Sequence, residues 1–194
     1  MRPVLLVVDV QQIYTSEGSE LYCDSADGTV AKINQLIQIF EQKGWPTILV
    51  RHIHKADGSD IGRMFDYAGE PVEDFNFKAG TEEVEYDPRL VLPEAALHIT
   101  KTRYSAFAQT QLQEELRRLG ADTVVVCGFM TNFCCDSTAR EAHDRDFFVD
   151  FITDATGTPG IDEMDQDQIR EVVANLLSAG YARVYTAADY IGQL

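Results

Sequence analysis

Three side chains of different chemistry follow three separate apolar runs of this sequence. Asp9 follows the first run, Lys101 the third, and Cys134 the fourth after a short turn. In an open α/β sheet, ligands bind beyond the carboxyl ends of the strands, so these residues are expected to meet at one edge. An acid, a cation and a thiol at one place supply a general base, a charge stabiliser and a nucleophile.

Each of the three residues also has an ordinary structural explanation. Cysteine is among the most buried residue types, an Asp at a strand end is often a cap, and a loop Lys is commonly solvated. A catalytic role for Cys134 is favoured by its place at the start of a helical pattern, where the macrodipole favours the thiolate. A catalytic role for Asp9 is favoured because a carboxylate buried after five apolar residues needs a partner, which Lys101 supplies.

The other three cysteines are predicted to have no part in the chemistry. Cys135 shares a helical face with Ala139 and Ala142, Cys127 lies inside an apolar run, and Cys23 lies in a polar loop. Their spacing fits neither a zinc ribbon nor a small secreted disulfide scaffold. Free thiols in a reducing compartment are therefore expected, and the predicted location is cytoplasmic.

Six short apolar runs alternate with helical patterns along most of the chain. Several runs are continuous, as is typical of strands that helices cover on both faces. The alternation predicts an α/β fold with a three-layer, doubly wound, mainly parallel six-stranded sheet and helices on both faces, in a single domain spanning 1–194. The predicted strands are 4–8, 47–50, 95–99, 123–127, 147–152 and 182–185.

Start and stop signals place four helices between these runs. The first ends at Gly44, the second ends at Gly120, and the third begins near Asn132. The fourth begins at Asp165, with Gln168 three residues later as in a capping box. Residues 55–93 interrupt the rhythm with acidic residues, glycines and scattered aromatics, which is typical of a functional loop or an oligomer contact.

The acidic composition narrows the range of partners. Sixteen Lys and Arg residues against 32 Asp and Glu residues give a formal charge of -16, which repels phosphate backbones and anionic membrane surfaces. No apolar run approaches the ~20 residues of a membrane span, and the first run lacks the small-residue cleavage site of a signal peptide. The expected partner is a small-molecule substrate, and the charge argues against nucleic acid and a membrane as partners.

Four motifs resemble those of the isochorismatase-like cysteine hydrolases, the superfamily that includes nicotinamidases and N-carbamoylsarcosine amidohydrolase. The motifs read LLVVDVQ, ITKTRYSAF, VVVCGFMTNFCCDSTAREA and FITDATGT, in the family's order across essentially the whole chain. The resemblance implies an Asp-Lys-Cys triad of Asp9, Lys101 and Cys134. It implies an amidase-type hydrolase that cleaves a C–N bond of an amide, ureido or lactam substrate through a thioester, in a homo-oligomer that is a dimer or tetramer.

The same resemblance implies a non-proline cis peptide bond between Phe129 and Met130. In the family this turn aims backbone N–H groups, here those of Met130 and Cys134, as an oxyanion hole. Aromatic side chains that flank the triad in the sequence are expected to line the pocket. The expected substrate contacts are Tyr14, Tyr104 and Phe133.

The metal site of the nicotinamidases that this sequence resembles is incomplete here. Those enzymes carry an Asp-x-His pair after the second strand and a further His in the insertion. This chain has His52 and His54 at the pair and Asn76 at the third position. A three-ligand catalytic zinc site therefore lacks a member. Two histidines at i and i+2 can still bind metal, but hydrogen-bonded histidines are commoner, and we predict no metal and no other cofactor.

Two other classes of protein would account for some of these features. A nonenzymatic ligand-binding or regulatory relative would keep the pocket without the reaction. A phosphate-binding domain of receiver or flavodoxin type also places an Asp after strand one and a Lys late in the sheet. That class is disfavoured because no Gly-rich phosphate loop follows residues 4–8 and nothing in it requires Cys134.

Overall fold

Six parallel strands form one sheet, in the order β3-β2-β1-β4-β5-β6. The computed structural model describes residues 1–66, 68–69 and 74–194. The strands are β1 (Pro3–Val8), β2 (Thr47–His52), β3 (Leu97–Lys101), β4 (Thr123–Phe129), β5 (Phe148–Gly157) and β6 (Arg183–Tyr185). All six predicted strands are present, and the α/β fold class is confirmed.

The largest boundary difference lies in β5, which continues five residues beyond the predicted end at Ile152. A register shift between Val126 and Gly128 of β4 allows this continuation. Beyond the shift, Gly128 pairs with Thr156, so the second half of β5 remains in the sheet. The motif that begins at Phe151 therefore forms the strand beside the end of β4.

Helices cover both faces of the sheet, as predicted. They are α1 (Gln12–Thr15), α2 (Ala26–Lys43), α3 (Leu112–Arg118), α4 (Asp136–Asp144), α5 (Gln166–Ser178) and α6 (Ala187–Gly192). Along β1, Leu5 and Val7 pack with α2 and α6, whereas Val4, Leu6 and Val8 pack with α3, α4 and α5. Side chains of successive strand residues point to opposite faces, so β1 supplies both cores.

Two of the start and stop signals read from the sequence are present in the structure. Gly44 ends α2 in a left-handed conformation with φ of 67°, which glycine adopts without a Cβ penalty. Asp165 caps α5, and its side chain and that of Gln168 form the reciprocal capping box. The short helices α1 and α6 were not predicted. Across the described residues, no helix is both long enough and apolar enough for a membrane crossing.

The segment between β2 and β3 is mostly irregular and contains one 3₁₀ turn, Glu82–Val84. An isolated bridge between Tyr86 and Gln11 ties this segment to the rest of the chain, and a second bridge pairs His54 with Lys78 within the segment. Tyr67, one of the aromatics of this segment, lies outside the described residues.

Gly128 is held at a close approach of β4 to β1. Its φ is 121°, and a Cβ built there would lie 1.9 Å from the carbonyl oxygen of Val8. We expect Gly128→Ala to destabilise the fold by about 3 kcal/mol or more, because both strands must move. Gly28→Ala in α2 is the matched control, since a Cβ there meets nothing within 4 Å and should stabilise the helix slightly. Urea unfolding measures both, and equal midpoints would contradict the assignment.

Candidate active site

The three predicted reactive residues meet at the carboxyl edge of the sheet. β1 and β4 are neighbours whose connections leave to opposite sides, and the crevice at such a switch point is the usual ligand site of an open α/β sheet. Asp9 follows β1, Lys101 is the last residue of β3, and Cys134 lies in the turn after β4. The fold therefore brings together residues that are far apart in the sequence.

One ammonium group joins the other two functional groups. Lys101 Nζ lies 2.6 Å from Asp9 Oδ2 and donates to Cys134 Sγ at 3.2 Å. It also donates to the carbonyl oxygen of Arg103 at 3.0 Å. The three residues are at most 2% exposed. Among the described residues, none donates a hydrogen bond to Asp9 Oδ1.

The backbone around Asp9 is fixed by contacts across the sheet edge. Asp9 has φ of 49°, a conformation that Asp tolerates better than most residues, and its N–H donates to the carbonyl oxygen of Val50 at 3.0 Å. The buried side chain of Gln11 donates to the carbonyl oxygens of His52 and Val84 and accepts from the His52 N–H at 2.8 Å. This clamp joins the end of β1 to the end of β2 and to the 3₁₀ turn.

Cys134 lies in a π-helical turn, Thr131–Cys135, that runs directly into α4. The peptide bond between Phe129 and Met130 is cis, and the Cys135 N–H donates to the Met130 carbonyl oxygen at 3.1 Å. The buried hydroxyl of Thr131 donates to Thr156 Oγ1 at 2.9 Å, which ties the turn to β5. The assignment of the Met130 and Cys134 N–H groups as an oxyanion hole stays a prediction.

Burial is the largest influence on the pKa of Cys134. Burial raises the pKa of Cys134 to about 12, and Asp9 also raises it, while Lys101 acts in the opposite direction. A helix start favours the thiolate, but the desolvation of a fully buried sulfur has the larger effect and favours the thiol. Cys134 therefore rests as a thiol, and a base must take its proton.

Asp9 is suited to take that proton. Burial raises the pKa of Asp9 above 3.8, although Lys101 pulls it down. For Lys101, burial lowers the pKa, but the nearby Asp9 and Cys134 outweigh burial and raise the pKa above 10.5. The lysine therefore stays cationic, and the aspartate is a stronger base than an exposed carboxylate.

A cavity of about 220 Å³ opens onto Cys134. Tyr14, Tyr104 and Phe133 all line it, and the rings of Tyr104 and Phe133 lie 5.1 Å apart. The segment between β2 and β3, expected to be a functional loop or an oligomer contact, supplies Phe77 and three further lining residues, none of which was assigned to the pocket from the sequence. Those three are Met64, Phe65 and Asn76. The aromatic content of the segment was the only available signal.

His52 and His54 form a hydrogen-bonded pair beside the triad. Their Nε2 atoms lie 2.9 Å apart, and His54 Nδ1 lies 3.3 Å from Asp60 Oδ1. A carboxylate oxygen of Asp9, a ring nitrogen of His52 and Cys134 Sγ also lie within 4.8 Å of one another.

These donors do not fit a metal ion. The two imidazoles are bonded to each other, and the Lys101 ammonium already neutralises Asp9. Asn76, at the third position, contributes only an amide. A divalent cation would have to displace or repel the ammonium, so no step of the chemistry below uses a metal.

The family model described as the Isochorismatase domain matches residues 3–189. The chain therefore belongs to the isochorismatase-like hydrolase family. It is 31% identical over 186 residues to "Nicotinamidase 3" of Arabidopsis thaliana, covering 92% of this chain and 81% of that protein. It is 31% identical over 176 residues to "Ureidoacrylate amidohydrolase RutB" of Variovorax paradoxus, covering 78% and 67%.

Among solved structures, a cysteine hydrolase from Pseudomonas syringae pv. phaseolicola 1448A superposes with a TM-score of 0.89. The two chains are 28% identical, and the match covers 99% of this chain and 92% of that one. Amidohydrolases are thus among the relatives of this chain.

Proposed function

We propose that the protein is a cysteine-dependent amidohydrolase that cleaves a C–N bond of a small amide, ureido or lactam substrate. The observation that carries the proposal is the position of the Lys101 ammonium, 2.6 Å from the Asp9 carboxylate and 3.2 Å from the Cys134 sulfur. A buried thiol is inert without a base and a nearby cation, and here both are in contact range.

In the first half of the reaction, Asp9 accepts the Cys134 proton while the sulfur attacks the carbonyl carbon. Lys101 stabilises the negative charge that moves between carboxylate and sulfur, in a buried site where solvent screens charges only weakly. The tetrahedral intermediate collapses, the C–N bond breaks, and Asp9 returns the proton to the leaving nitrogen. The acyl group remains on Cys134 as a thioester.

In the second half, water attacks the thioester carbon. Asp9 accepts a proton from the water as the C–O bond forms, and the C–S bond then breaks. The proton returns to the departing sulfur, so the products are a carboxylic or carbamic acid and free thiol. One carboxylate therefore serves both halves, which requires that it be neither solvated nor permanently protonated.

Alkylation with iodoacetamide, itself a small primary carboxamide, tests the proposal. At pH 7.5 we expect peptide mapping to find one carbamidomethyl group on Cys134, because this sulfur lines the cavity and has a base beside it. Burial raises the pKa of the other three thiols, Cys23, Cys127 and Cys135, and none of them is among the described residues that line the cavity. Ammonia release from a panel of primary amides and ureas, and the opening of lactams to amino acids, should fall in proportion to the modification.

Two variants make this experiment specific. Asp9→Asn should lower the rate of ammonia release at least about 100-fold, because no carboxylate then carries the proton from Cys134 to the leaving nitrogen. Cys135→Ala, which removes a neighbouring buried thiol, should alkylate and release ammonia as the wild-type protein does. Full ammonia release after complete modification of Cys134 would overturn the proposed function, as would an unmodified Cys134. A protein that binds members of the panel without hydrolysing any would be the nonenzymatic relative.

A further inference from the structure

Phe77 lines the cavity beside Cys134 in a strained backbone conformation. Its φ is 64°, in the left-handed region that a bulky side chain rarely adopts. Residues held in this region cost free energy, and they persist where the surrounding structure fixes them, often at ligand sites. The strain therefore points to a use for the Phe77 side chain in the cavity, one that the proposed mechanism does not include.

Contacts with His54 fix the backbone of Phe77. The His54 N–H donates to the Phe77 carbonyl oxygen at 2.7 Å, and the Ala79 N–H donates to the His54 carbonyl oxygen at 2.8 Å. His54 is itself buried, and its Nε2 lies 2.9 Å from that of His52, the last residue of β2. The turn that carries Phe77 is therefore attached to the end of β2.

The ring of Phe77 packs among other aromatic rings. It stacks on His52, with centroids 4.3 Å apart and planes 11° apart. The ring centroids of Tyr14 and Phe65 lie 5.9 Å and 6.4 Å from that of Phe77. Because protein interiors are close-packed, the Phe77 ring cannot turn aside without displacing these neighbours. Phe77 therefore forms a fixed part of the cavity wall.

The Phe77 ring lies near the reacting atoms and at the inner end of the cavity. A ring nitrogen of His52 lies within 4.8 Å of Cys134 Sγ, and Phe77 stacks on that imidazole. Tyr104, which also lines the cavity, is 38% exposed, whereas Phe77 is 4% exposed. A group that extends inward from the carbon that the sulfur attacks therefore meets the Phe77 ring.

We propose that Phe77 is a specificity-determining residue that limits the group on the acyl side of the scissile bond to a short chain or a single ring. The cavity volume of about 220 Å³ is smaller than the ~300–1,000 Å³ of sites for drug-sized ligands. Replacing Phe77 by a small residue adds the space of a phenyl ring at the inner end. The inference rests on the proposed function and sets the size of its substrates.

Alkylation of Cys134 with two haloacetamides tests this size limit without hydrolysis. Iodoacetamide and N-benzyl-iodoacetamide react by the same displacement of iodide and differ by one benzyl group. Peptide mapping over time gives the rate constant of each reagent at Cys134. We expect the ratio of the benzyl reagent to the unsubstituted one to rise at least about tenfold in Phe77→Gly, because the added ring is buried in the freed space.

Three variants make the comparison specific. Glycine adopts the left-handed backbone without strain, so Phe77→Gly removes the ring and keeps the turn. Phe77→Leu is a smaller truncation that should raise the ratio by less, and it decides the test if Phe77→Gly does not fold. Phe40→Leu is the matched control, since Phe40 is also buried but packs against Trp45 near the end of α2. Its ratio should equal that of the wild-type protein.

Ammonia release from propanamide and 3-phenylpropanamide extends the test to turnover. These amides differ by one phenyl group at the end of a flexible chain. The ratio of kcat/KM for the phenyl-substituted amide to that for propanamide should also rise in Phe77→Gly. An unchanged amide ratio in a protein that hydrolyses both amides would overturn the inference.

The alkylation results separate this inference from the proposed function. A higher alkylation ratio in Phe77→Gly would support the inference even if the wild-type protein hydrolysed no member of the substrate panel, which would overturn the proposed function alone. An unchanged alkylation ratio, or an equal rise in Phe40→Leu, would overturn the inference and leave the proposed function standing. Failure of both reagents to modify Cys134 would overturn the inference and the proposed function together.

Discussion

Cys134→Ala is expected to abolish ammonia release, lowering kcat at least about 10⁴-fold on any amide or urea that the wild-type protein hydrolyses. The expected loss is large because the sulfur forms the covalent intermediate, and Cys134 is the described thiol to which Lys101 donates a hydrogen bond. The variant should remain folded, since the substitution removes a single sulfur atom at the edge of a cavity. Its unfolding midpoint should lie close to that of the wild-type protein.

Cys134→Ser and Cys135→Ala are the informative companions. A serine hydroxyl has a much higher pKa than a thiol, so Asp9 cannot activate it, and Cys134→Ser should be nearly as inactive as Cys134→Ala. Cys135 is also fully buried, but it packs in the apolar core with α4, so Cys135→Ala should keep its activity. Retention of more than a few per cent of activity in Cys134→Ala would show that another group is the nucleophile.

The strands, and the position of Asp9, Lys101 and Cys134 at one edge of the sheet, could be predicted because both depend on local sequence. A continuous apolar run predicts a buried strand, and the residue after the run then falls at the sheet edge by geometry alone. Asp9 and Lys101 were found in this way. The strand order was not predicted, since it depends on crossover connections that pack α2 on one face of the sheet and α4 on the other.

Two parts of the site could not be predicted, because they depend on three-dimensional burial and on nonperiodic sequence. The thiol of Cys134 is at a helix start, yet its pKa is raised, since the cost of desolvation appears only when the fold closes around the sulfur. The cavity wall that includes Phe77 comes from a segment without helical or strand periodicity. Helix α6, by contrast, could have been predicted from the sequence. Thr186 is a favoured N-cap residue, and its hydroxyl oxygen accepts a hydrogen bond from the Asp189 N–H.

The pairing of His52 with His54 illustrates the same limit. Two histidines at i and i+2 were compatible with a metal site or with hydrogen bonding. The contact of His54 with Asp60 and the 2.9 Å approach of the two rings favour hydrogen bonding. Asp60 was not singled out, because an acidic residue in an acidic segment carries no distinguishing signal.

Lys101→Met is expected to destabilise the fold by about 3 kcal/mol or more, in addition to abolishing activity. In the wild-type protein Lys101 Nζ lies 2.6 Å from the Asp9 carboxylate. The substitution removes this countercharge and leaves the carboxylate fully buried. For a chain of this size, such a loss lowers the midpoint of thermal unfolding by about 10 °C. Differential scanning calorimetry at pH 7 measures the shift.

The double variant Asp9→Asn/Lys101→Met separates the charge from the packing. Asn tolerates the left-handed backbone at position 9, where φ is 49°, and brings no charge. The double variant should therefore regain most of the lost stability, although it remains inactive.

The difference between single and double variants should also depend on pH. Without Lys101, burial holds the folded-state pKa of Asp9 further above 3.8, its unfolded value, so the penalty is full only above that raised pKa. The penalty becomes smaller as the pH falls below the raised pKa, and it is lost below 3.8, where Asp9 is protonated in both the folded and the unfolded state. A single variant as stable as the double at pH 7, or a gap between them that widens in acid, would mean that Lys101 does not neutralise Asp9.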